Sequence, residues 1–313
     1  MIAAAAVQKP KALRRGSRFA AIAPASPGKP DRVAAGQKEL ERLGFSVARQ
    51  DHLQPDGYFA SSAMERRSEF LKALSNSAND ALIATRGGYG SVYLLEQDLP
   101  PSLPLKPLIG FSDLTTLQIY LWQKHRWAGF YGPMLAAGLD CGPGAPGGYH
   151  EPSFRSALTK TSGTSTIPLD GEALQPGSAE GTLLGGAMTL LEATIGTPWE
   201  IDTDGAILIL EDRAMRPYQI DRVLMHLKHA EKLSGIRGII LGDFPECQTP
   251  VPGSPSVRDV CARILGPLNV PLVYGAPIGH TARSMLTLPL GVRARLDARG
   301  SGTLEILEPA VIE

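Results

Sequence analysis

Short apolar runs alternate with segments of helical periodicity through the first part of the chain. The run RFAAIAPAS (18–26) ends in proline and serine and precedes a segment with helical spacing of apolar residues (30–43). The same unit recurs, because ALIATRGGYG (81–90) precedes a helical pattern at 91–99 and LIGFSDLTT (108–116) begins another. Strands that alternate with helices predict an α/β fold with a mainly parallel, Rossmann-like sheet flanked by helices.

The pattern resumes in the last third of the chain. AILILED (206–212) and GIILGDF (238–244) have the composition of buried strands, and an amphipathic helix (219–235) lies between them. A further strand, PLVYGAP (271–277), precedes a terminal segment (287–309) with the pattern of a β-hairpin. This region is therefore expected to form a second, smaller α/β domain with a mixed sheet.

The stretch between these regions is rich in Gly, Pro, Ser and Thr and has little periodicity. We interpret it as a linker region, part of it ordered. The sequence thus predicts an N-terminal α/β domain at 17–137, the linker region at 138–180 and a C-terminal α/β domain at 181–313. The residues before 17 are expected to be a short disordered lead-in.

Composition narrows the classes of function. The chain has 31 basic and 31 acidic residues without long runs of either, so it shows no footprint for nucleic acid or for an anionic membrane. Its N-terminus lacks the charge order of a secretory signal, and no stretch is long enough for a membrane span. Three cysteines without metal-site spacing fit a reducing compartment. We expect a cytoplasmic protein with a small neutral or zwitterionic substrate.

Ser112 lies where an apolar strand gives way to a helical pattern. A serine on such a turn holds its hydroxyl at the carboxyl edge of the sheet, and the backbone amide of Asp113 points to where an oxyanion would develop. However, GFSD lacks the second glycine of a nucleophile elbow, and serine or aspartate before a helix is most often an N-cap. This segment alone favours the cap.

A nucleophilic serine needs a base and an orienting acid. Among six histidines, His280 lies in a Gly-flanked loop after a predicted strand, a placement that suits a base, although a lone loop histidine is more often merely exposed. The acid candidates Glu211 and Asp212 end the strand AILIL, where a carboxylate is about equally often solvated at the edge of the sheet or directed into a site. The glycine turn RGGYG (86–90) lacks the lysine of a phosphate loop. Either its backbone amides bind an oxyanion or a substrate carboxylate, or its glycines only make a tight turn.

Six segments together resemble the LD-carboxypeptidase family of serine peptidases, the muramoyltetrapeptide carboxypeptidases, which includes the microcin C immunity peptidases. They occur in the family's order and cover most of residues 18–292. The six segments are IAPAS, RGGYG, IGFSDLT, GGAMTLLEATIGTPWEID, LEDRAMRPYQIDRVLMHL and PIGHTARSMLTLPLG.

The resemblance implies a Ser-His-Glu triad with Ser112 as nucleophile, His280 as general base and Glu211 as orienting acid. The backbone amides of Gly88 and Asp113 would form the oxyanion hole. The implied reaction releases terminal D-alanine from murein tetrapeptides in cell-wall recycling, through an acyl-enzyme and without a metal or an organic cofactor. The resemblance also suggests a homodimer.

The chain departs from the family's pattern at two positions. The family often has His where this chain has Tyr131, and Asn where it has Ala187. Both positions are expected in pocket walls and outside the triad, so they bear on the substrate more than on the reaction. The substrate's terminal carboxylate has two candidate ligands, Arg86 and Arg283, each equally plausible as a structural or surface arginine.

Three rival hypotheses remain open from the sequence. One keeps the triad but assigns a peptidyl-nucleotide or an acyl-sulfamoyl adenylate as substrate, as for the immunity peptidases. Another is a non-catalytic binding protein on an α/β scaffold, in which Ser112 only caps a helix. A nucleotide-dependent oxidoreductase is disfavoured, since the first strand ends in APASP without a glycine fingerprint.

Overall fold

The computed structural model describes residues 6–48, 54–249 and 251–313. The chain divides into two compact units, and each contains its own sheet. Unit 1 comprises Met1–Thr161, Arg283–Gly291 and Ala310–Glu313, and unit 2 comprises Ser162–Ala282 and Val292–Pro309.

The two sheets are built from short strands. In chain order, the strands of the described ranges are β1 (Arg18–Ile22), β2 (Ser46–Ala48), β3 (Ala81–Ala84), β4 (Leu108–Gly110), β5 (Gly129–Tyr131), β6 (Ser165–Pro168), β7 (Glu172–Gln175), β8 (Ser178–Ala187), β9 (Ala206–Glu211), β10 (Gly238–Gly242), β11 (Leu272–Ala276), β12 (Leu288–Leu290), β13 (Arg293–Asp297) and β14 (Thr303–Ile306).

Helices connect most of the parallel strands. The α-helices of the described ranges are α1 (Pro30–Arg42), α2 (Ala63–Ser75), α3 (Leu114–His125), α4 (Glu151–Thr159), α5 (Met188–Ala193), α6 (Pro217–His229) and α7 (Val257–Leu265). Short 3₁₀ helices span Ser91–Leu95, Leu139–Cys141 and Gly266–Leu268. No helix in the part of the chain that the structure describes combines the length and the hydropathy needed to cross a membrane.

The sheet of unit 1 has the order β12-β5-β4-β3-β1-β2. Its first five strands in the chain are mutually parallel, and β12 closes one edge in antiparallel pairing with β5. Strands β3 and β4 are buried at every position, as expected for a parallel sheet covered on both faces. The predicted mainly parallel sheet of the N-terminal region is therefore confirmed.

The sheet of unit 2 has the order β6-β14-β13-β8-β9-β10-β11-β7. Strands β8 to β11 are parallel, and the outer strands pair antiparallel, so the predicted mixed sheet is confirmed. Strands β13 and β14 form an antiparallel pair, as the terminal pattern indicated. The buried strand β9 is apolar until its last residue, Glu211.

Three local features differ from the expectations. The segment 91–99 is a 3₁₀ helix only over Ser91–Leu95. The segment 138–180 contains α4, β6, β7 and the start of β8, and it is shared between the two units. The N-terminal lead-in is ordered from Gln8, which bridges to Trp127, whereas residues 1–5 lie outside the described residues.

Candidate functional site

Three loops meet at the carboxyl edge of the parallel strands of unit 1. Strands β1, β3 and β4 are neighbours and run in the same direction, so the segments that follow them lie at one edge of the sheet. Ser26 follows β1, the turn 87–90 follows β3, and Ser112 follows β4. This edge holds the predicted nucleophile and the predicted oxyanion turn.

The backbone of Ser112 is in the left-handed region, with φ 61°. Few residues other than glycine adopt this region, and such strain is concentrated at functional sites. The residue directly before α3 is Asp113, which makes no side-chain capping hydrogen bond. A left-handed serine in the short turn between a strand and a helix has the geometry of a nucleophile elbow.

The carboxylate of Asp113 binds the end of the turn 87–90 and the residue that follows it. It accepts hydrogen bonds from the backbone N–H of Gly90 at 3.2 Å and from that of Ser91 at 2.7 Å. The Ser91 hydroxyl in turn donates to the Asp113 carbonyl at 2.7 Å. Burial raises the pKa of the Asp113 carboxyl, and these hydrogen bonds offset part of that shift. The residue after the serine therefore fastens the glycine turn to the start of α3.

The glycines of this turn allow close approach to Ser112. A Cβ atom on Gly87 would lie 2.9 Å from the Ser112 Cβ and 3.0 Å from its Oγ. Gly88 has a φ of 101°, and a Cβ there would collide with the Ser26 hydroxyl. Ser26 also accepts a hydrogen bond from the Tyr89 N–H at 3.2 Å. Only glycine fits these two positions without displacing the serines.

Two backbone amides beside Ser112 have no hydrogen-bond acceptor among the described residues. They belong to Gly88, on the exposed side of the turn, and to Asp113. The neighbouring amides of Tyr89, Gly90 and Ser91 are all bonded within unit 1. Two unused donors that flank a serine can bind an oxygen anion.

Tyr131, one of the two departures from the family's pattern, contacts the backbone of Ser112. Its side chain is fully buried at the end of β5, and its hydroxyl accepts a hydrogen bond from the Ser112 N–H at 3.4 Å. The ring of Phe111 packs edge-on against Tyr131, with centroids 6.3 Å apart. The departure at Tyr131 therefore reaches the backbone of Ser112, the predicted nucleophile, which the sequence did not indicate.

The predicted acid and base lie together in unit 2. Glu211, the last residue of β9, is completely buried, and its Oε2 accepts two hydrogen bonds from His280. The backbone N–H of His280 donates at 2.8 Å, and the ring Nδ1 lies 2.9 Å from the same oxygen. With Nδ1 as the donor to Glu211, Nε2 is the nitrogen that can accept a proton.

Two glycines make room for the Glu211 side chain beside His280. A Cβ on Gly279 would lie 2.3 Å from the Glu211 carboxylate carbon, and one on Gly242 would lie 2.6 Å from the Glu211 Cβ. Burial lowers the pKa of His280, but the charge and the hydrogen bond of Glu211 outweigh it and raise the pKa above the ordinary value of 6.5. The imidazolium form of His280 is thus stabilised by the buried carboxylate.

Asp212, the other acid candidate, has a different partner. Its Oδ2 accepts hydrogen bonds from the N–H of Thr189 at 3.0 Å and from its hydroxyl at 2.8 Å. Burial, followed by the neighbouring charge of Glu211, raises the pKa of Asp212. The buried Ala187 lies beside Glu211 in the register of β8 and β9. Asp212 therefore holds the start of α5, and Glu211 contacts the histidine.

The remaining candidates are distributed over the chain. Arg86 is exposed and donates to the Pro27 carbonyl at 3.4 Å, and Arg283 lies in the same unit. The ring of His226 contacts Glu192 at 2.8 Å, and His52 lies outside the described residues. Within the described ranges, no group of three His, Cys, Asp or Glu side chains is arranged to hold a metal ion.

Arg66 is a residue of this edge that sequence reasoning missed. It is only 1% exposed, and it donates to the carbonyl of Gly90 at 2.7 Å. One signal was available in the sequence, because Arg66 falls in register with Phe70 and Leu74 on the buried face of α2. A charged residue on the apolar stripe of a helix indicates a specific buried partner.

Comparison with known proteins identifies the family. The model of the LD-carboxypeptidase N-terminal domain matches residues 19–132, and that of the LD-carboxypeptidase C-terminal domain matches residues 180–296. The chain is 34% identical over 296 residues to the Bacillus subtilis protein named "Probable murein peptide carboxypeptidase". The aligned region covers 92% of this chain and 91% of that protein.

Two solved structures have the same fold. The muramoyltetrapeptide carboxypeptidase from Oxalobacter formigenes is 27% identical, with a TM-score of 0.82 over 94% of this chain and 99% of the other. A mutant of the microcin C7 self-immunity protein MccF in complex with adenosine monophosphate is 24% identical, with a TM-score of 0.88 over 97% and 99%. The chain belongs to the LD-carboxypeptidase family and is a serine-type carboxypeptidase.

Proposed function

We propose that the protein hydrolyses the amide bond between an L-centre and the terminal D-alanine of murein tetrapeptides, as a step of cell-wall recycling. One observation carries the chemistry: Ser112 has a left-handed backbone next to the turn 87–90, and the amides of Gly88 in that turn and of the following Asp113 have no acceptor among the described residues. The substrate class is supported by the names of the Bacillus subtilis relative and of the Oxalobacter formigenes enzyme.

The proposed mechanism is acyl transfer through a Ser-His-Glu triad. The Ser112 Oγ attacks the scissile carbonyl while His280 Nε2 takes its proton. The tetrahedral intermediate collapses, the C–N bond breaks, and His280 returns the proton to the amine of D-alanine. Water then attacks the acyl-enzyme with His280 again as the base, which releases the shortened peptide and restores Ser112. Glu211 orients the imidazole and stabilises its charged form.

The proposed oxyanion hole consists of the amides of Gly88 and Asp113. Both are fixed before substrate arrives, because the turn is hydrogen-bonded to Ser26 and to the Asp113 carboxylate. Donors that are already oriented need no reorganisation when charge develops on the carbonyl oxygen. The terminal carboxylate of the substrate requires a cation, for which we propose Arg86 or Arg283.

The reaction is tested by incubating the purified protein with a murein tetrapeptide and measuring free D-alanine together with the mass of the shortened peptide. We expect stoichiometric release of D-alanine and of the tripeptide. The matched control is the same peptide with a terminal L-alanine, which should be cleaved much more slowly. Absence of release from the D-alanine peptide would refute the proposed substrate.

The pH dependence of the reaction reports on His280. The base must be neutral to accept the proton of Ser112, and the pKa of His280 is raised above 6.5. Activity is therefore lost as the pH falls through this raised pKa, and we expect the acidic limb of kcat/KM to lie above pH 6.5. A profile of kcat/KM between about pH 5 and 9 measures it, and a limb well below 6.5 would contradict the assignment.

A second candidate substrate is a peptidyl-nucleotide, and one observation favours it. Tyr58 and Tyr89 are 62% and 45% exposed, with ring centroids 5.9 Å apart, and Tyr89 directly follows the proposed oxyanion donor Gly88. Exposed aromatic rings offer stacking surfaces to a nucleobase. Hydrolysis of a peptidyl-adenylate analogue faster than that of the murein tetrapeptide would support this alternative.

Two further attributes are part of the proposal. A cytoplasmic location rests on the composition of the chain and on its three free cysteines, Cys141, Cys247 and Cys261. A homodimer rests on the family resemblance alone. Neither attribute is needed for the proposed chemistry.

A further inference from the structure

The turn 87–90 carries the proposed oxyanion donor Gly88, so its position matters for catalysis. A glycine-rich turn has little intrinsic rigidity, because glycine populates many backbone conformations. Something outside the turn must therefore hold the Gly88 amide in place. Preorganised donors lose their advantage when the backbone that carries them is free to move.

The turn is held on one side by the carboxylate of Asp113. Each oxygen of this carboxylate accepts one amide, from Gly90 at 3.2 Å and from Ser91 at 2.7 Å. Asp113 is 3% exposed, and burial raises the pKa of its carboxyl. The hydrogen bonds from Gly90 and Ser91 and the charge of Arg66 offset part of the cost of burying this carboxylate. Since Asp113 directly follows Ser112, these bonds tie the turn to the residue next to the nucleophile.

The turn is held from the other side by Arg66. Its Nη1 donates to the Gly90 carbonyl at 2.7 Å and also to the Pro24 carbonyl, while Nε donates to the Ser61 carbonyl at 2.9 Å. The guanidinium also lies over the ring of Phe59, 4.7 Å from its centroid. One buried cation therefore joins the loop after β1, the loop after β3 and the start of α2.

Gly90 is the point where the two side chains meet. Its N–H donates to Asp113 and its carbonyl accepts from Arg66, so both of its backbone polar groups are bound to ionisable side chains. Gly90 has a φ of 124° and lies two residues from Gly88. Burial lowers the pKa of Arg66, while the Asp113 charge raises it in part. The pair thus places opposite charges on the two sides of one peptide segment.

We propose that Arg66 and the side chain of Asp113 are positioning residues that fix the Gly88 amide for the oxyanion hole. The proposal rests on the proposed function, because it assigns a role within that same site. It requires that loss of either side chain weaken binding of the transition state far more than binding of the substrate. Loss of a residue needed only for folding would weaken binding of the substrate and of the transition state to a similar extent.

The test uses the variants Arg66→Met, Arg66→Lys and Asp113→Asn, with Arg67→Met as the matched control. Arg67 is adjacent on α2, but its guanidinium binds the carbonyls of Leu94, Gln97 and Asp98, outside the turn. Asp113→Asn keeps the shape of the side chain but replaces one acceptor with a donor, which opposes one of the two amides. The fold of each variant is checked by circular dichroism.

Two inhibitors separate the transition state from the ground state. One is the murein tripeptide product, and the other is a peptide boronic acid whose boron accepts the Ser112 Oγ and places an oxygen in the oxyanion hole. For Arg66→Met and Asp113→Asn we expect kcat and boronate affinity to fall about 100-fold or more, with KM and tripeptide affinity changed less than about threefold. Arg66→Lys should recover part of the loss, and Arg67→Met should match wild type.

Other outcomes overturn the proposal. Equal weakening of the boronate and the tripeptide would show a general structural role, and unchanged kcat in the folded variants would show no role. If Arg66→Met does not fold, Asp113→Asn and Arg66→Lys decide by the same comparison. Failure of the proposed function is distinct, since wild type itself would then neither release D-alanine nor bind the boronate.

Discussion

Replacement of Ser112 by alanine is expected to lower kcat for D-alanine release by about 10⁴-fold to 10⁶-fold and to leave the fold intact. The hydroxyl is the proposed nucleophile, and its loss removes the acyl-enzyme route. Removal of the hydroxyl disturbs few contacts, because helix α3 begins at Leu114 and its N-terminus has no side-chain cap. The measurement is single-turnover release of D-alanine, combined with thermal unfolding of both proteins.

A serine that does cap a helix provides the matched control. Ser256 precedes α7, accepts a hydrogen bond from the Asp259 N–H at 3.1 Å and lies in unit 2. Ser256→Ala should reduce stability by about 1 kcal/mol without loss of kcat, the reverse of the result at Ser112. If Ser112→Ala instead retained activity and lost stability, Ser112 would be a structural residue and the proposed mechanism would be wrong.

The backbone of Ser112 offers a third comparison. A left-handed conformation costs a non-glycine residue about 1–2 kcal/mol, and glycine avoids that cost. Ser112→Gly is therefore expected to be as inactive as Ser112→Ala but more stable than it, which unfolding midpoints measure. The combination of higher stability and lost activity would identify Ser112 as a strained functional position.

The second large effect is expected at Glu211, where Glu211→Gln should lower kcat by about 10⁴-fold. The carboxylate oxygen accepts both the backbone N–H and the ring Nδ1 of His280. An uncharged amide no longer stabilises the imidazolium that forms when Ser112 loses its proton, and its NH₂ group competes for the position facing Nδ1. The acidic limb of kcat/KM should also move to lower pH, because the charge that raises the pKa of His280 is removed.

Asp212→Asn is the control for this change. Asp212 is the adjacent buried carboxylate, and it binds Thr189 instead of His280. We expect a smaller loss of kcat, accompanied by lower stability of unit 2. Equal losses of kcat and equal shifts of the pH profile in the two variants would show that Glu211 has no special relation to the base. The pH profiles and unfolding curves of both variants supply the comparison.

The sequence predicted well those features that depend on local pattern. The parallel strands of unit 1, the position of Glu211 at the end of β9, and the positions of Ser112 and His280 after β4 and β11 follow from apolar runs that end in polar or glycine residues. The segment 138–180 was harder, because its strands are stabilised by distant partners. Strand β6 pairs with β14, and β7 pairs with β11. These two edge strands of the unit 2 sheet were therefore not predicted from a segment rich in Gly and Pro.

The site was predicted only in part, for a similar reason. Glu211 and Asp212 are equivalent in the sequence, and only the register of β9 with its neighbours separates their contacts. Asp113 looked like a helix cap, but its carboxylate is used by amides more than twenty residues earlier in the chain. Arg66 binds backbone carbonyls, which every residue type has, so its partners form no recognisable sequence motif.

The pairing of β12 with β5 has a consequence for how the enzyme is made. Residues Arg283–Gly291 complete the sheet of unit 1, yet they are synthesised after every parallel strand of unit 2. Until they emerge from the ribosome, β5 is an open edge with unpaired backbone groups, a surface on which other chains can add. The sheet that carries Ser112 is therefore completed only after the parallel strands of unit 2 have been made, and a fragment that stops at residue 161 would carry Ser112 on an incomplete sheet.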